Sequence, residues 1–302
     1  MGVLEELQQA AVAVAEKVGP AVVRIGRGPG RGAGVVIGSG LVATNAHNLR
    51  GAETTVTFAD GRVETGRVTG ADVDGDLAVL AVPTGDTAAV EWGEAAGTGL
   101  PVFALTAGAP GGVRVSFGLV SNVGQSFRGP RGRRIAGSFE HTAAMRRGSS
   151  GGPVVDGSGR LVGINTNRLG DGFYLALPAG EDLRGRLAAL AEGRSPVRLH
   201  LGVALAPTAA ARRLRRAVGL PERDGVLVRA VQPHTPAARA GLREGDLIVT
   251  AAGRQVASVD DLHAALDAVE GGASLALCVV RGTEELDVAV TFDAGVEEEG
   301  SA

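Results

Sequence analysis

The chain has one cysteine in 302 residues, and that scarcity removes any internal disulfide. Cys278 sits in the apolar run Leu275-Ala276-Leu277-Cys278-Val279-Val280, where it reads as a buried strand residue. Aromatic residues are almost as scarce, with seven Phe, one Trp and one Tyr against 48 Gly. The cores must therefore be built from Val, Leu, Ile and Ala. No apolar run approaches the roughly 20 residues that a membrane-spanning helix needs. A net charge of −3 provides no long-range attraction to nucleic acid. The opening Met1-Gly2-Val3-Leu4-Glu5-Glu6-Leu7 carries acids where a secretory leader would be basic, so the expected compartment is the cytoplasm.

The composition that remains, 44% hydrophobic and 21% charged, is that of an ordinary globular chain of about two domains. After an amphipathic first helix, short β-rich runs alternate with Gly, Asp and Asn turns from Ala21 to Leu177, which predicts an all-β barrel arrangement. Ala21–Ile25, Thr55–Phe58, Val102–Leu105, Val113–Val120 and Leu161–Asn165 are such runs. A helix is expected over Ala179–Ala191, and Glu192-Gly193-Arg194-Ser195-Pro196 has linker composition. The expected division is residues 1–192, a linker at 193–198, a second domain at 199–292 and an acidic tail at 293–302.

Two motifs are decoys. Gly28-Pro29-Gly30-Arg31-Gly32-Ala33 imitates a dinucleotide fingerprint, but a Val-Val-Ile strand follows it where a helix is required. Asp72-Val73-Asp74-Gly75-Asp76 begins like a calcium loop, yet Leu77 stands where the turn glycine belongs and Pro83 where the closing glutamate belongs. Neither implies a cofactor or a metal.

Gly148-Ser149-Ser150-Gly151-Gly152-Pro153 carries the chemistry. A glycine two places before Ser150 allows unusual backbone angles that can turn the Gly148 and Ser150 amides toward one oxyanion, and Gly151-Gly152 would leave room for substrate backbone. Ser149 lacks those neighbours. The alternative is a plain glycine-serine surface turn. A serine nucleophile needs a base, and His47 is the best placed of five histidines, at the end of Leu41-Val42-Ala43-Thr44-Asn45-Ala46 where small polar residues can hold an imidazole. His141, His200, His234 and His263 have structural or solvated contexts. Asp76 opens the apolar strand Leu77-Ala78-Val79-Leu80-Ala81-Val82, a position suited to an orienting carboxylate.

These residues resemble the HtrA (Deg) family of trypsin-like serine proteases. Gly32-Ala33-Gly34-Val35-Val36-Ile37, Thr44-Asn45-Ala46-His47, Asp76-Leu77-Ala78-Val79 and Gly148 to Pro153 match the family's motifs in order, with Ser149 in place of Asn. The separations also fit, 29 residues from His47 to Asp76 and 74 from Asp76 to Ser150. The resemblance implies a mainly β fold, with two six-stranded barrels and a triad in the cleft between them. His47 would be the general base, Asp76 the group that fixes its tautomer, and Ser150 the nucleophile, with an oxyanion hole at Gly148, Ser149 and Ser150. It places the primary pocket at Ala144, Met145, Ile164, Asn165, Thr166 and Phe173. With no acid at its base, that pocket should favour small aliphatic side chains.

Leu199-His200-Leu201-Gly202-Val203, Pro236 to Gly241, Arg243 to Ile248 and Asp260 to Leu266 are similar to a PDZ domain of the small α+β type found in these proteases. In such a domain a C-terminal peptide adds a strand to a sheet edge, its carboxylate received around His200, Leu201, Gly202 and Val203. A helix over Val259–Val269 would offer Leu262, Ala265 and Leu266 as a groove wall, unless these side chains fill the domain's own core.

The resemblance therefore implies an ATP-independent endopeptidase of protein quality control, acting on unfolded proteins and binding C-terminal peptides, without a cofactor. It implies a homotrimer, although the first 26 residues lack the aromatics often used for that contact. It also keeps open a periplasmic site if an N-terminal segment was removed. The departures are Thr142, where Asp is common, and Arg146-Arg147 ahead of the serine loop. These leave a second reading, a peptide-binding, chaperone-like module whose protease site is inactive at rest. Arg128, Arg131, Arg133 and Arg134 fall in a segment resembling the family's sensor loop. They are either an exposed basic loop or a receptor for an acidic ligand or for Glu297-Glu298-Glu299.

Overall fold

A computed structural model describes residues 2–27, 32–108, 112–129, 132–170, 172–196, 198–269 and 274–292. Two compact units emerge, Met1–Pro196 and Val197–Ala302. The glycines at 28 and 30, Arg131 and the acidic tail lie outside the described residues.

The first unit opens with α1 (Val3–Val18), which buries Val14 and Val18 against the barrels and leaves Val3 and Leu4 exposed. The strands that follow are β1 (Val22–Ile25), β2 (Gly32–Gly38), β3 (Leu41–Thr44), β4 (Glu53–Thr57), β5 (Val63–Asp72) and β6 (Leu77–Ala81). They close a barrel in the order β1-β2-β3-β6-β5-β4. A second closed barrel, β10-β11-β12-β9-β8-β7, is built from β7 (Pro101–Ala107), β8 (Val113–Arg128), β9 (Arg134–His141), β10 (Pro153–Val155), β11 (Leu161–Gly170) and β12 (Phe173–Pro178). Closure leaves no free edge strands, so every strand can alternate between a packed inner face and an outer one.

The interiors are aliphatic, as the composition requires. Val23, Ile25, Val35, Val79, Leu80, Leu105 and Leu161 are fully buried, joined by the aromatics Phe103 and Phe139. The expected strand Val113–Val120 continues to Arg128, because β8 and β9 form a long hairpin with several register shifts. Helix α2 (Glu181–Ala191) starts two residues later than expected, since Gly180 is extended and serves as its N-cap. It buries Leu183, Leu187 and Leu190. The linker-like segment is partly fastened down. Ser195 Oγ accepts a bond of 3.0 Å from the Ala71 amide, so the chain stays on the first unit through that residue.

The second unit is a sheet, β13-β14-β15-β17-β18, formed by β13 (Val203–Ala206), β14 (Val226–Val231), β15 (Leu247–Ala251), β17 (Ser274–Arg281) and β18 (Glu284–Thr291), with the short β16 (Arg254–Gln255) pairing β15. Helices α3 (Thr208–Ala217), α4 (Pro236–Arg239) and α5 (Val259–Asp267) accompany it. Helix α3 has no counterpart among the sequence expectations, although its Ala, Arg and Leu content favours a helix. Ser258 caps α5 with a reciprocal box to Asp261, which sets where that helix begins.

Candidate active site

Strand β3 ends at Thr44, and the chain turns through Asn45 into a short 3₁₀ segment, Ala46–Asn48. The small polar residues here have separate tasks. Thr44 Oγ1 donates to the Ala33 carbonyl at 2.7 Å, Asn45 Nδ2 to the Asp76 carbonyl at 2.8 Å, and Asn48 Nδ2 to the Ser150 carbonyl at 2.9 Å. Asp76 needs its clamp, because it holds a left-handed φ of 52° that a non-glycine residue rarely adopts.

His47 lies against this carboxylate. Its Nδ1 is 2.9 Å from both Asp76 oxygens, and its own amide donates to Oδ1 at 3.1 Å. Thr166 Oγ1 donates to Oδ2 at 2.7 Å. With its side chain only 3% exposed, the carboxylate is placed to accept a proton held on Nδ1, the tautomer that would free Nε2 to act as a base.

On the other wall, the Ser149 amide donates to the Arg146 carbonyl at 3.3 Å, closing a turn with Gly148 as its third residue. Gly148 has φ of 89°, the angle that a type II turn demands there. The Ser149 amide is thereby occupied, which removes it from the expected oxyanion group of Gly148, Ser149 and Ser150. Among the described residues, the Gly148 and Ser150 amides have no acceptor, so two donors remain free for an oxyanion. The Ser150 carbonyl is anchored from the first barrel by the Ala33 amide at 2.9 Å as well as by Asn48. The Ser150 hydroxyl donates to the Thr166 carbonyl at 3.0 Å and not to His47.

Gly151 and Gly152 serve a different end from the one expected. A Cβ on Gly151 would meet the Ala33 carbonyl at 2.2 Å, and one on Gly152 the Leu105 carbonyl at 2.4 Å. These glycines let the serine loop press onto the barrels; they do not clear space for substrate.

His47, Asp76 and Ser150 share one cleft of about 540 Å³. Met145, Asn165 and Thr166 line it, whereas Ala144, Ile164 and Phe173 do not. Ile164 is fully buried and belongs to the hydrophobic core of the barrels. Phe173 is on the outer face of β12, 38% exposed, and its neighbour Tyr174 occupies the wall. Tyr174 donates its hydroxyl to the Met145 carbonyl at 3.0 Å. His141, fully buried, stacks on Tyr174 and places Nε2 2.8 Å from Asn165 Oδ1. Burial lowers its pKa below the usual 6.5, outweighing the opposing effects of Asn165 and Glu140. Sequence reasoning missed Tyr174 and the link from Thr166 to Asp76. The first followed from strand alternation, and the second had no sequence signal.

The sensor-like segment is not simply an exposed basic loop. Arg133 is 4% exposed and forms an ion pair of 3.4 Å with Asp74, two residues before Asp76. Arg134 is exposed, and Arg128 faces the cleft.

In the second unit, Gly202 has φ of 80°, and a Cβ there would meet Thr235 at 2.3 Å. The Leu201 and Gly202 carbonyls accept from the Ala237 and Gln232 amides, which fixes the loop ahead of the edge strand β13. Val203 and His200 are half-buried beside it. Leu262 and Leu266 belong to the unit's core at 0% and 3% exposure, so they are not a groove wall; they point inward from α5.

Residues 32–164 match the trypsin-like peptidase domain, and residues 200–292 match the PDZ domain. Over 279 residues the chain is 32% identical to "Putative serine protease HhoA" of Synechocystis, covering 86% of this chain and 70% of that protein. The chain belongs to the HtrA (Deg) family of trypsin-like serine proteases. Its enzyme class is serine endopeptidase. A second relative, "Probable periplasmic serine endoprotease DegP-like" of Halomonas elongata, is 29% identical, and the chain spans 56% of its length. Among solved structures, the HtrA-type protease AlgW with a decapeptide superposes with a TM-score of 0.68 at 24% identity, over 95% of this chain and 99% of that one. This likeness shows the shared fold. No described helix is long and apolar enough to cross a membrane.

Proposed function

We propose that the chain is an ATP-independent endopeptidase of protein quality control that cuts unfolded polypeptides after small aliphatic residues. The observation that carries this reading is the alignment of His47 and Thr166 on the buried Asp76 carboxylate, with Ser150 in the same cleft. His47 Nε2 takes the Ser150 proton once the hydroxyl turns from the Thr166 carbonyl, and the Gly148 and Ser150 amides receive the oxyanion. Met145 and Tyr174 present an uncharged pocket wall, which supports an aliphatic preference. The PDZ unit would bind C-terminal peptides at the loop His200–Val203 and the β13 edge.

Digestion of unfolded casein by the native chain and by Ser150→Ala tests the catalytic part. Cleavage lost only in the variant supports it, and equal cleavage by both overturns it. Peptides with Val, Ala or Leu before the cut should react faster than those with Lys or Arg.

The Ser150 to Thr166 bond also supports a resting state in which the serine is turned from its base, as in a chaperone-like module awaiting a ligand. Stimulation of peptide cleavage by a hydrophobic C-terminal peptide would mark that state. A homotrimer is part of the proposal, with the exposed Val3, Leu4 and Val12 of α1 as its apolar contact, and light scattering measures it. A periplasmic site accords with the name of the Halomonas relative, and fractionation of the source cells decides between it and the cytoplasm.

A further inference from the structure

Three arginines line the cleft beside Ser150 without a carboxylate partner among the described residues: Arg146, Arg147 and Arg168. Arg146 and Arg147 lead directly into the Gly148 turn, and Arg168 follows Thr166 by two residues on β11. They therefore reach the cleft from two separate segments. All three are exposed, and the Arg168 guanidinium lies 5.9 Å from the Tyr174 ring centroid, which steadies it at the rim. The carboxylate among the cleft's lining residues is Asp76, which is 2% exposed and bonded to His47 and Thr166.

This charge is local. The chain as a whole carries 33 acids against 30 Lys and Arg, so a cationic cleft is not the by-product of a basic protein. In a concave site bounded by protein, such a field is focused and raises the local concentration of anionic segments. Each guanidinium can also pair with a carboxylate in a bidentate manner.

We propose that the cleft selects acidic polypeptide segments, with Arg146, Arg147 and Arg168 as specificity-determining residues for Asp or Glu flanking an aliphatic residue at the cut. This rests on the endopeptidase reading above and names its substrate class. An extended peptide advances about 3.3 Å per residue. Acids within about two residues of the scissile bond thus fall inside the screening length of about 8 Å at physiological salt. Exposed arginine–carboxylate pairs are worth about 0.2–1 kcal/mol each, or roughly 1.4- to 5-fold. Two flanking acids should produce about a tenfold preference over two flanking lysines.

The test uses three peptides with one Val-containing core flanked by Glu, Gln or Lys. Values of kcat/KM are measured with the full native chain at low and high salt, and binding of the same peptides to Ser150→Ala by fluorescence anisotropy. The expected order is Glu over Gln over Lys in both measurements, with the span shrinking at high salt. Arg168→Glu should reduce or invert the order, and Arg146→Gln should narrow it. Equal kcat/KM and equal Kd across the three peptides would overturn the acidic selectivity while leaving the protease reading intact. If the native chain cleaves none of them even with a hydrophobic C-terminal peptide present, the protease reading fails, and the order of Kd on Ser150→Ala still decides the selectivity.

Discussion

Thr166 Oγ1 donates to Asp76 Oδ2 at 2.7 Å, while the Thr166 carbonyl accepts the Ser150 hydroxyl at 3.0 Å. One residue of the second barrel thus touches both the acid and the nucleophile of a site whose base comes from the first. A hydrogen bond to a charged group is worth about 1.5–3 kcal/mol. Thr166→Val is expected to lower kcat/KM by roughly 10- to 100-fold, and Thr166→Ser to recover most of it, both read with a fluorogenic peptide. Full activity in the Val variant would remove the Asp76 contact from the mechanism.

Arg133 and Asp74 are each 4% exposed, so removing one partner strands a buried charge. Arg133→Met should cost about 3–5 kcal/mol in urea unfolding of the first unit. Combining it with Asp74→Leu should cost clearly less than the sum of the two single changes. Additive losses would show that the pair is not coupled.

His141 is buried with its pKa lowered from 6.5, so the folded chain binds its proton less readily than the unfolded chain does. The linked stability is fully present above about pH 6.5 and is lost as pH falls from there toward the lowered folded pKa. Thermal melts between neutral and mildly acidic pH should show this loss in the native chain. In His141→Gln the profile should be flatter over the same window, and an identical slope in both would assign the acid sensitivity to other groups.

Glycine changes should separate by position. Gly151→Ala combines φ of 88° with a carbonyl at 2.2 Å and should cost several times the roughly 1 kcal/mol typical of a point mutation. Gly185→Ala, inside α2 with open space around it, should stabilise by about 0.5–1 kcal/mol. Chemical denaturation of both variants checks the pair.

Gly202→Ala in the second unit is blocked by Thr235 and by φ of 80°. It is expected to weaken binding of a hydrophobic C-terminal peptide by about tenfold or more, measured by calorimetry. A Thr235→Ala background, which clears the nearest atoms, should restore part of that loss.

The elements of the site were legible where chemistry demands particular residue types in particular order. His47, Asp76 and Ser150 stand on motifs whose glycines and strand ends are visible in the residues, and the two closed barrels and the PDZ unit follow from the same resemblance. Gly148 was legible for the right reason, since only a positive φ closes its turn. The misses share one cause. Ser149 is adjacent to the nucleophile, yet its amide closes a turn; Phe173 and Ile164 flank the pocket in sequence, yet face away from it. Leu262 and Leu266 have groove-like spacing, but the helical period does not say whether that face meets a ligand or a core.

The sequence by itself determined the class of chemistry and the strand-rich, two-unit plan, because turn glycines, apolar alternation and catalytic residue types are local requirements. Only the tertiary structure decided that Thr166 binds Asp76, that Asn48 and Ala33 hold the Ser150 carbonyl, and that Arg133 lies buried against Asp74. Each of these joins residues that are distant along the chain. Their distances are set by how two closed barrels meet, and no local propensity encodes that meeting.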